Sequence, residues 1–407
     1  MARRRLNRVS GVAIGAALLV LSAATSLAGS VRYEVLDLGT LNGEFRPVAL
    51  NNGGQVVGSG NREALRAVRT RPNAPVGAGD VLLDGPEENM GLGLNDRGQA
   101  VGMLDAFPFF AFRTAPQKGV DRATDNIVPV GTPQLWPHDI DNAGRVVGEM
   151  ILQAIPGPTR AFRTGPGAAF NPDTDDLGTL GGTNGSASAV NDAGVAVGTS
   201  TRADGLRRAF RVPAGRSIDP GLDDLGTLGG AESSAADINA AGWVAGSAST
   251  ANGATHAFRT APGAVIGLGD DLGVLPGMTA SGAAGINARG DVVGSSYGPS
   301  DPGEAHASRA FLFMDDRMYD LNDLLDPGAA GVFLTGAIAI NDRGQVLANA
   351  IFTSDGGGTR QGAVLLTAVP LPPAVYVGAA GLVGVAAAVR HAAKQSGLGR
   401  RQCRTSA

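Results

Sequence analysis

Cysteine is all but missing from this chain. A single residue, Cys403, leaves the body of the 407-residue sequence without a disulfide, a cysteine-based metal site or a thiol nucleophile, so stability must come from packing and closure. Lysine is almost as scarce, with only Lys118 and Lys394, and positive charge is carried by arginines that recur singly. With a formal net charge of −4 and no basic patch, no nucleic-acid partner is expected. Aromatic residues make up 5% of the chain, and two tryptophans, Trp136 and Trp243, are too few to imply a carbohydrate-stacking surface. No Gly-rich phosphate loop with a lysine, no dinucleotide fingerprint and no aromatic-plus-basic stripe is present, so nothing calls for a nucleotide cofactor or single-stranded nucleic acid.

What is abundant is glycine, at 62 residues, against a charged fraction of only 17%. Glycine disfavours helices and serves turns that need a positive φ, so the composition points to an all-β chain with many tight turns.

The two ends read as targeting segments. Arg3, Arg4, Arg5 and Arg8 precede an apolar run from Val12 to Leu21 and small residues around Ser26, Leu27 and Ala28, the order of a secretory signal peptide cleaved after Ala28 by signal peptidase. At the other end, Val369-Pro370-Leu371-Pro372-Pro373 leads into an apolar run from Ala374 to Val389, followed by Arg390, Lys394, Arg400, Arg401 and Arg404 with no acidic residue. An apolar span followed by a basic tail is the order of a C-terminal membrane stop with a cytoplasmic end, although the run is shorter than the ~20 residues of a permanent span. The motif, the apolar helix and the Arg cluster together resemble the PEP-CTERM class of exosortase sorting signals in its Val-Pro-Leu-Pro variant. That resemblance implies an exosortase-type enzyme that cuts the tail at the motif, and hence transient membrane residence. The sequence departs from the class at Pro373, where a small residue is usual, and in running well beyond Arg390; a plain C-terminal anchor is the other reading.

Between the ends, residues 32–368 hold one unit written seven times. Its signature is an apolar residue, Asn, two further residues and Gly, then a Val-rich triplet and another Gly. The Asn position falls at Asn51, Asn95, Asp141, Asn191, Asn239, Asn287 and Asn341, with spacings of 44, 46, 50, 48, 48 and 54 residues. A period in this range is the size of one four-stranded propeller blade. In Ile286-Asn287-Ala288-Arg289-Gly290-Asp291-Val292-Val293-Gly294 the unit reads as strand, tight turn, strand, with Asn bonding the backbone two residues on and Gly taking the left-handed position. The repeated Asn is therefore expected to be structural. An Ala-Phe-Arg-Thr strand follows, alternating so that Phe112, Phe162, Phe210, Phe258 and Phe311 pack between blades, with Val68 and Val364 in the same layer and the arginines toward solvent or a neighbouring blade. An Asp-Leu-Gly-Thr-Leu element closes the unit at Asp37, Asp176 and Asp224 and decays elsewhere.

These elements resemble the HAF family of extracellular bacterial repeat proteins, named for a His-Ala-Phe motif spelled out at His256-Ala257-Phe258. Leu177 to Gly182 and Leu225 to Gly230 match its Leu-Gly-Thr-Leu-Gly-Gly signature. The resemblance implies repeat architecture and an extracellular location, and no activity. Closure into a seven-bladed β-propeller is expected over an open array: the chain enters at Tyr33 to Leu38, a lone copy of the outer strand, and leaves at Gly362 to Leu366, so that the two ends share a blade and no edge is exposed.

Gly294-Ser295-Ser296-Tyr297-Gly298 fits a nucleophile elbow in letters, but it stands at a repeated hairpin end and not at a strand-to-helix turn. His138, His256 and His306 fall in different repeats with no metal-ligand spacing. The pairs Asp175-Asp176, Asp223-Asp224 and Asp270-Asp271 recur at one repeat position and could form an acidic arc for Ca²⁺, yet no segment completes a Ca²⁺ loop and a solvated strand flank is the simpler reading. No catalytic residue and no required cofactor is assigned. The expectation is an exported surface or matrix protein, non-enzymatic, presenting loops such as Ser296 to His306 to an unknown surface partner; the alternative is a propeller enzyme acting on an extracellular polymer, which requires Asp, His and Arg from several blades to converge.

Overall fold

A computed structural model describes residues 31–60, 64–83, 87–104, 110–129, 132–152, 157–298 and 308–369. The segment 1–28, Pro370 to Pro373, Arg390 and the apolar run before it, His306 and most of its loop lie outside the described residues. No helix among the described residues is long and apolar enough to cross a membrane.

Residues Tyr33–Ala368 form one compact unit of seven small antiparallel sheets, a seven-bladed β-propeller. The inner strands of blades 1 to 7 are Phe45–Leu50, Asn89–Leu94, Gln134–Ile140, Gly181–Val190, Gly229–Ile238, Ala280–Ile286 and Val332–Ile340. Each is followed by a second strand across a tight turn and by a third strand carrying the Ala-Phe-Arg element, as in Ala196–Arg202 and Arg207–Val212 of blade 4. A regular outer strand completes blades 3, 5 and 6 at Asp176–Gly178, Asp271–Gly273 and Arg317–Asp320, whereas blades 1, 2 and 4 keep only single bridges, Val68 to Val81, Phe112 to Asn126 and Phe210 to Asp224. The decayed outer element of blades 1 and 2 thus keeps its place and loses its ladder.

Blade 7 is closed by the start of the chain. Arg32–Asp37 is its outer strand, beside Thr359–Val369. The seam is bonded as the junctions of blades 1 and 2 and of blades 2 and 3 are: Asn341 Nδ2 donates to the Asn51 carbonyl at 3.1 Å, and the Asp342 amide donates to Asn52 Oδ1 at 2.8 Å. The first and last described strands thus share one blade, as expected from the two terminal repeat fragments.

The hydrophobic core lies between blades. Phe112, Phe162, Phe210, Phe258 and Phe311 are wholly buried, and each sits with residues of the preceding blade: Phe210 with Val147 and Ala161, Phe258 with Val197 and Ala209. Val68 and Val364 are equally buried in the same layer. Burying a Phe contributes roughly 1.5–3 kcal/mol, and because each ring is shared by two sheets, this energy is spent on joining blades. In blades 1, 2, 3 and 5 the arginine after the buried Val or Phe reaches to the next blade. Arg69, Arg113, Arg163 and Arg259 donate to the carbonyls of Gly98, Gly144, Gly194 and Gly290 at 2.7–3.0 Å. The repeat arginine is an inter-blade staple.

The repeated Asn does two jobs. Its Oδ1 accepts the amide four residues on, at 2.9 Å for Gln55 and 3.0 Å for Trp243, and its Nδ2 donates to the carbonyl of the same position in the next blade, as Asn95 does to Asp141 at 2.9 Å and Asn239 to Asn287 at 2.9 Å. The shorter bond two residues on, anticipated from the turn chemistry, joins it at Arg97, Arg289 and Arg343.

Candidate functional site at the central channel

The channel wall owes its shape to one irregularity repeated seven times. Every inner strand slips by one residue against its partner, between Pro47 and Ala49 in blade 1, Pro137 and Asp139 in blade 3, Ala235 and Asp237 in blade 5, and at the same place in the others. The extra residue, Val48, Leu92, His138, Ser188, Ala236, Ala284 or Ile338, faces a lumen of about 430 Å³. A bulge bends the strand and redirects side chains, here toward the axis. It also presses an inner-strand carbonyl against the second strand, where a Cβ on Gly58, Gly148, Gly198, Gly246 or Gly294 would collide with it. Glycine relieves this approach, which accounts for the Gly that ends the Val-rich triplet in six blades; blade 7 carries Ala348 there.

The residue after the bulge is small in five blades, Ala49, Gly93, Ala189, Gly285 and Ala339, and aspartate in two, Asp139 and Asp237. Both carboxylates reach an amide of the next blade: Asp139 Oδ2 accepts from the Val190 amide and Asp237 Oδ2 from the Ile286 amide, each at 2.9 Å. Asp237 Oδ1 also accepts from the Ile238 amide at 2.7 Å. Neither has an ion-pair partner among the described residues. Burial in the wall pushes the Asp139 carboxyl up to about 7, with the charge of Asp237 adding to it, against the opposing effect of the amide donors. Burial raises Asp237 as well. His138, beside Asp139, places Nδ1 at 2.9 Å from the Ala187 carbonyl and 3.4 Å from Ser186 Oγ, so the protonated Nδ1 donates to the carbonyl and Ser186 is not activated by it. Two carboxylates and an imidazole therefore converge on the lumen, while none of the residues lining it is an arginine.

Above the lumen, the hairpin turns form a mouth of about 210 Å³. Here the residue after the repeated Asn is Asp342, Asn52, Asp96, Asn142 and Asp192 around blades 7, 1, 2, 3 and 4, then Ala240 and Ala288 in blades 5 and 6. Asn52 Nδ2 donates to Asp96 at 3.1 Å and Asp342 at 2.9 Å, and Asn142 Nδ2 to Asp96 at 3.2 Å and Asp192 at 3.0 Å. The result is an alternating carboxylate and carboxamide belt over five blades.

The residues singled out from sequence lie elsewhere. In each acidic pair the first carboxylate turns inward to close a loop: Asp175 accepts from the Asn171 amide at 2.8 Å, Asp223 from Asp219 at 2.7 Å with Arg216 held in two bonds, and Asp270 from Gly267 at 2.8 Å. The second sits on the outer strand or bridge and accepts from the third strand, Asp176 from Arg160 at 2.7 Å and Asp271 from His256 at 2.9 Å, or lies near Arg202 at 3.4 Å for Asp224. The two members of a pair thus face different partners, and no group of three or more His, Cys, Asp or Glu among the described residues is arranged to hold a metal ion. His256 takes the place that Arg160 and Arg208 occupy in blades 3 and 4. Ser296 is wholly buried on the second strand of blade 6, accepting from the Leu275 amide and donating to the Ala280 carbonyl, far from the geometry of a nucleophile elbow. Trp243 stacks under the Arg259 guanidinium at 4.9 Å. Asp139 and Asp237 were missed because the bulge breaks the two-residue alternation; the detectable signal was Asp at a position otherwise held by Ala or Gly.

No protein-family model matches the chain, and no curated protein sequence matches it. Among solved structures, a protein of unknown function from Dyadobacter fermentans DSM 18053 is similar over 83% of this chain and 99% of that one, at 13% identity and a TM-score of 0.33.

Proposed function

We propose that the chain is an exported surface or extracellular protein whose propeller is a non-enzymatic binding scaffold working through its channel mouth and the loops around it. The observation that carries this reading is where the repeat's polar residues go. The repeated Asn and Arg and the paired Asp are engaged in holding turns and blades together, so the polar groups left for a partner are those that depart from the repeat, and these gather at the channel. The resemblance to HAF repeats, the Arg-led apolar segment ending near Ala28 and the PEP-CTERM-like motif at Val369 to Pro373 support export. The intact mass of protein recovered from its native envelope and culture medium tests it. Loss of residues up to about Ala28 and of the tail from the Pro370 region supports display. A chain that keeps its N-terminal segment and stays in the cytoplasm overturns it.

A propeller enzyme acting on an extracellular polymer is the second reading, favoured by His138, Asp139 and Asp237 converging on one lumen. It requires a polymer-cleaving activity that disappears in Asp139→Asn and Asp237→Asn while the fold persists.

A further inference from the structure

The belt at the mouth is interrupted, and the interruption has a definite chemistry. In five blades the backbone amide after the repeated Asn donates to the side chain of the next blade: Asp342 to Asn52 Oδ1 at 2.8 Å, Asn52 to Asp96 Oδ1 at 2.7 Å, Asp96 to Asn142 Oδ1 at 2.9 Å, Asn142 to Asp192 Oδ1 at 2.9 Å and Ala288 to Asp342 Oδ1 at 2.7 Å. In blades 5 and 6 the receiving residues are Ala240 and Ala288, which have no oxygen to offer. The amides of Asp192 and Ala240 are consequently without an acceptor among the described residues, and the Asp192 carboxylate receives donors from Asn142 on one side only. Asp192, Ala240 and Ala288 are all exposed.

We infer that the mouth at blade 5 is a binding site for a primary carboxamide, the side chain of an Asn or Gln on a partner polypeptide. Its carbonyl oxygen accepts from the Asp192 amide and its NH₂ donates to Asp192 Oδ2, the two bonds that Asn142 makes to Asp96. A carboxylate is disfavoured there by the charges of Asp192 and Asp342, and an ammonium leaves the two backbone amides unsatisfied. The inference rests on the binding-scaffold reading and names the chemistry of its mouth.

The test is an amide-shift titration of the isotope-labelled full chain with N-acetyl-asparagine N-methylamide, alongside the aspartate analogue and N-acetylglucosamine. The expected result is saturable movement of the Asp192 and Ala240 amide signals at about millimolar concentrations, at least about tenfold weaker with either control. Ala240→Asn supplies the missing group from within and Ala240→Leu blocks the position without supplying it; both should abolish the movement, and only the Asn variant should raise the melting midpoint, by about a degree. Movement caused equally by the aspartate analogue or by N-acetylglucosamine, or a titration unchanged in Ala240→Asn, overturns the inference. Because the titration does not depend on where the chain resides in the cell, its failure leaves the mass measurement of export to be judged separately.

Discussion

Replacing Asp139 with Asn should stabilise the propeller at neutral pH and make its stability less dependent on pH. The side chain lines the lumen, is enclosed by the wall and accepts the Val190 amide, while Asp237 in the same lumen and the nearby Asp141 add like charge. Burial is the largest cause and drives the carboxyl from 3.8 up to about 7. The sign follows from proton binding. Between these two values the native state holds a proton that the unfolded chain has released, so stability is fully present below about pH 4 and is lost as the pH rises through 7. Three pKa units correspond to an upper bound of about 4 kcal/mol; water in the lumen screens the charge, so about 1–2 kcal/mol is the expected share. Asp139→Asn keeps an oxygen for the Val190 amide and removes the charge. Denaturant unfolding at pH 3.5 and pH 8 should show the variant level with the parent at the lower pH and about 1–2 kcal/mol more stable at the higher. A variant destabilised equally at both values would mean that the carboxylate is comfortably ionised in the wall, and would refute the argument.

Two further outcomes follow from the geometry. Gly198→Ala puts a Cβ against the Ser186 carbonyl and the Ala187 backbone in the blade 4 bulge, where neither can retreat; the expected cost is about 1–3 kcal/mol, read as a lower unfolding midpoint, whereas Gly205→Ala, with nothing within 4 Å of its Cβ, meets only the cost of its positive φ. Asn341→Ala removes the donor that bonds Asn51 across the seam and leaves the Gln345 amide without its acceptor, a loss of about 1–3 kcal/mol; hydrogen exchange should show the protection loss concentrated in Arg32–Asp37 and blade 7, and an even loss around the ring would contradict the seam assignment.

The ring was legible in the sequence because its determinants are local and repeated. Glycine at the turn, Asn before it and Phe on an alternating strand each declare a conformation within a few residues, and Tyr33 to Leu38 declared closure by being a strand with no blade of its own. The staples were half legible. That Arg113 or Arg163 points to a neighbour could be read from alternation, but its acceptors, Gly144 and Gly194, lie 31 residues on, and such spacing leaves no mark in a single sequence. The site was not legible, because the bulge that creates it shifts every later residue of the strand to the opposite face. Counted by twos from Leu135 and Pro137, Asp139 continues the buried side of its strand; beyond the bulge it stands in the channel wall.

The acidic pairs show why a recurring charged residue is a poor guide to function in a repeat protein. Asp175, Asp223 and Asp270 recur because each blade needs its loop closed, just as Asp176 and Asp271 recur to hold a basic residue of the third strand. Repetition records a demand that every blade shares, and that demand is assembly. A ligand, by contrast, meets the ring once, so the residues that receive it are under no pressure to recur and have every reason to differ. Asp139 and Asp237 among alanines and glycines, His138 and Ser188 among aliphatic bulge residues, and Ala240 and Ala288 among alternating Asp and Asn are breaks in the pattern of the channel. Two of these breaks add charge to the lumen and two take hydrogen-bonding groups out of the mouth, which polarises the channel along its axis and around its rim. An asymmetric partner can be held in a single orientation only by such a break.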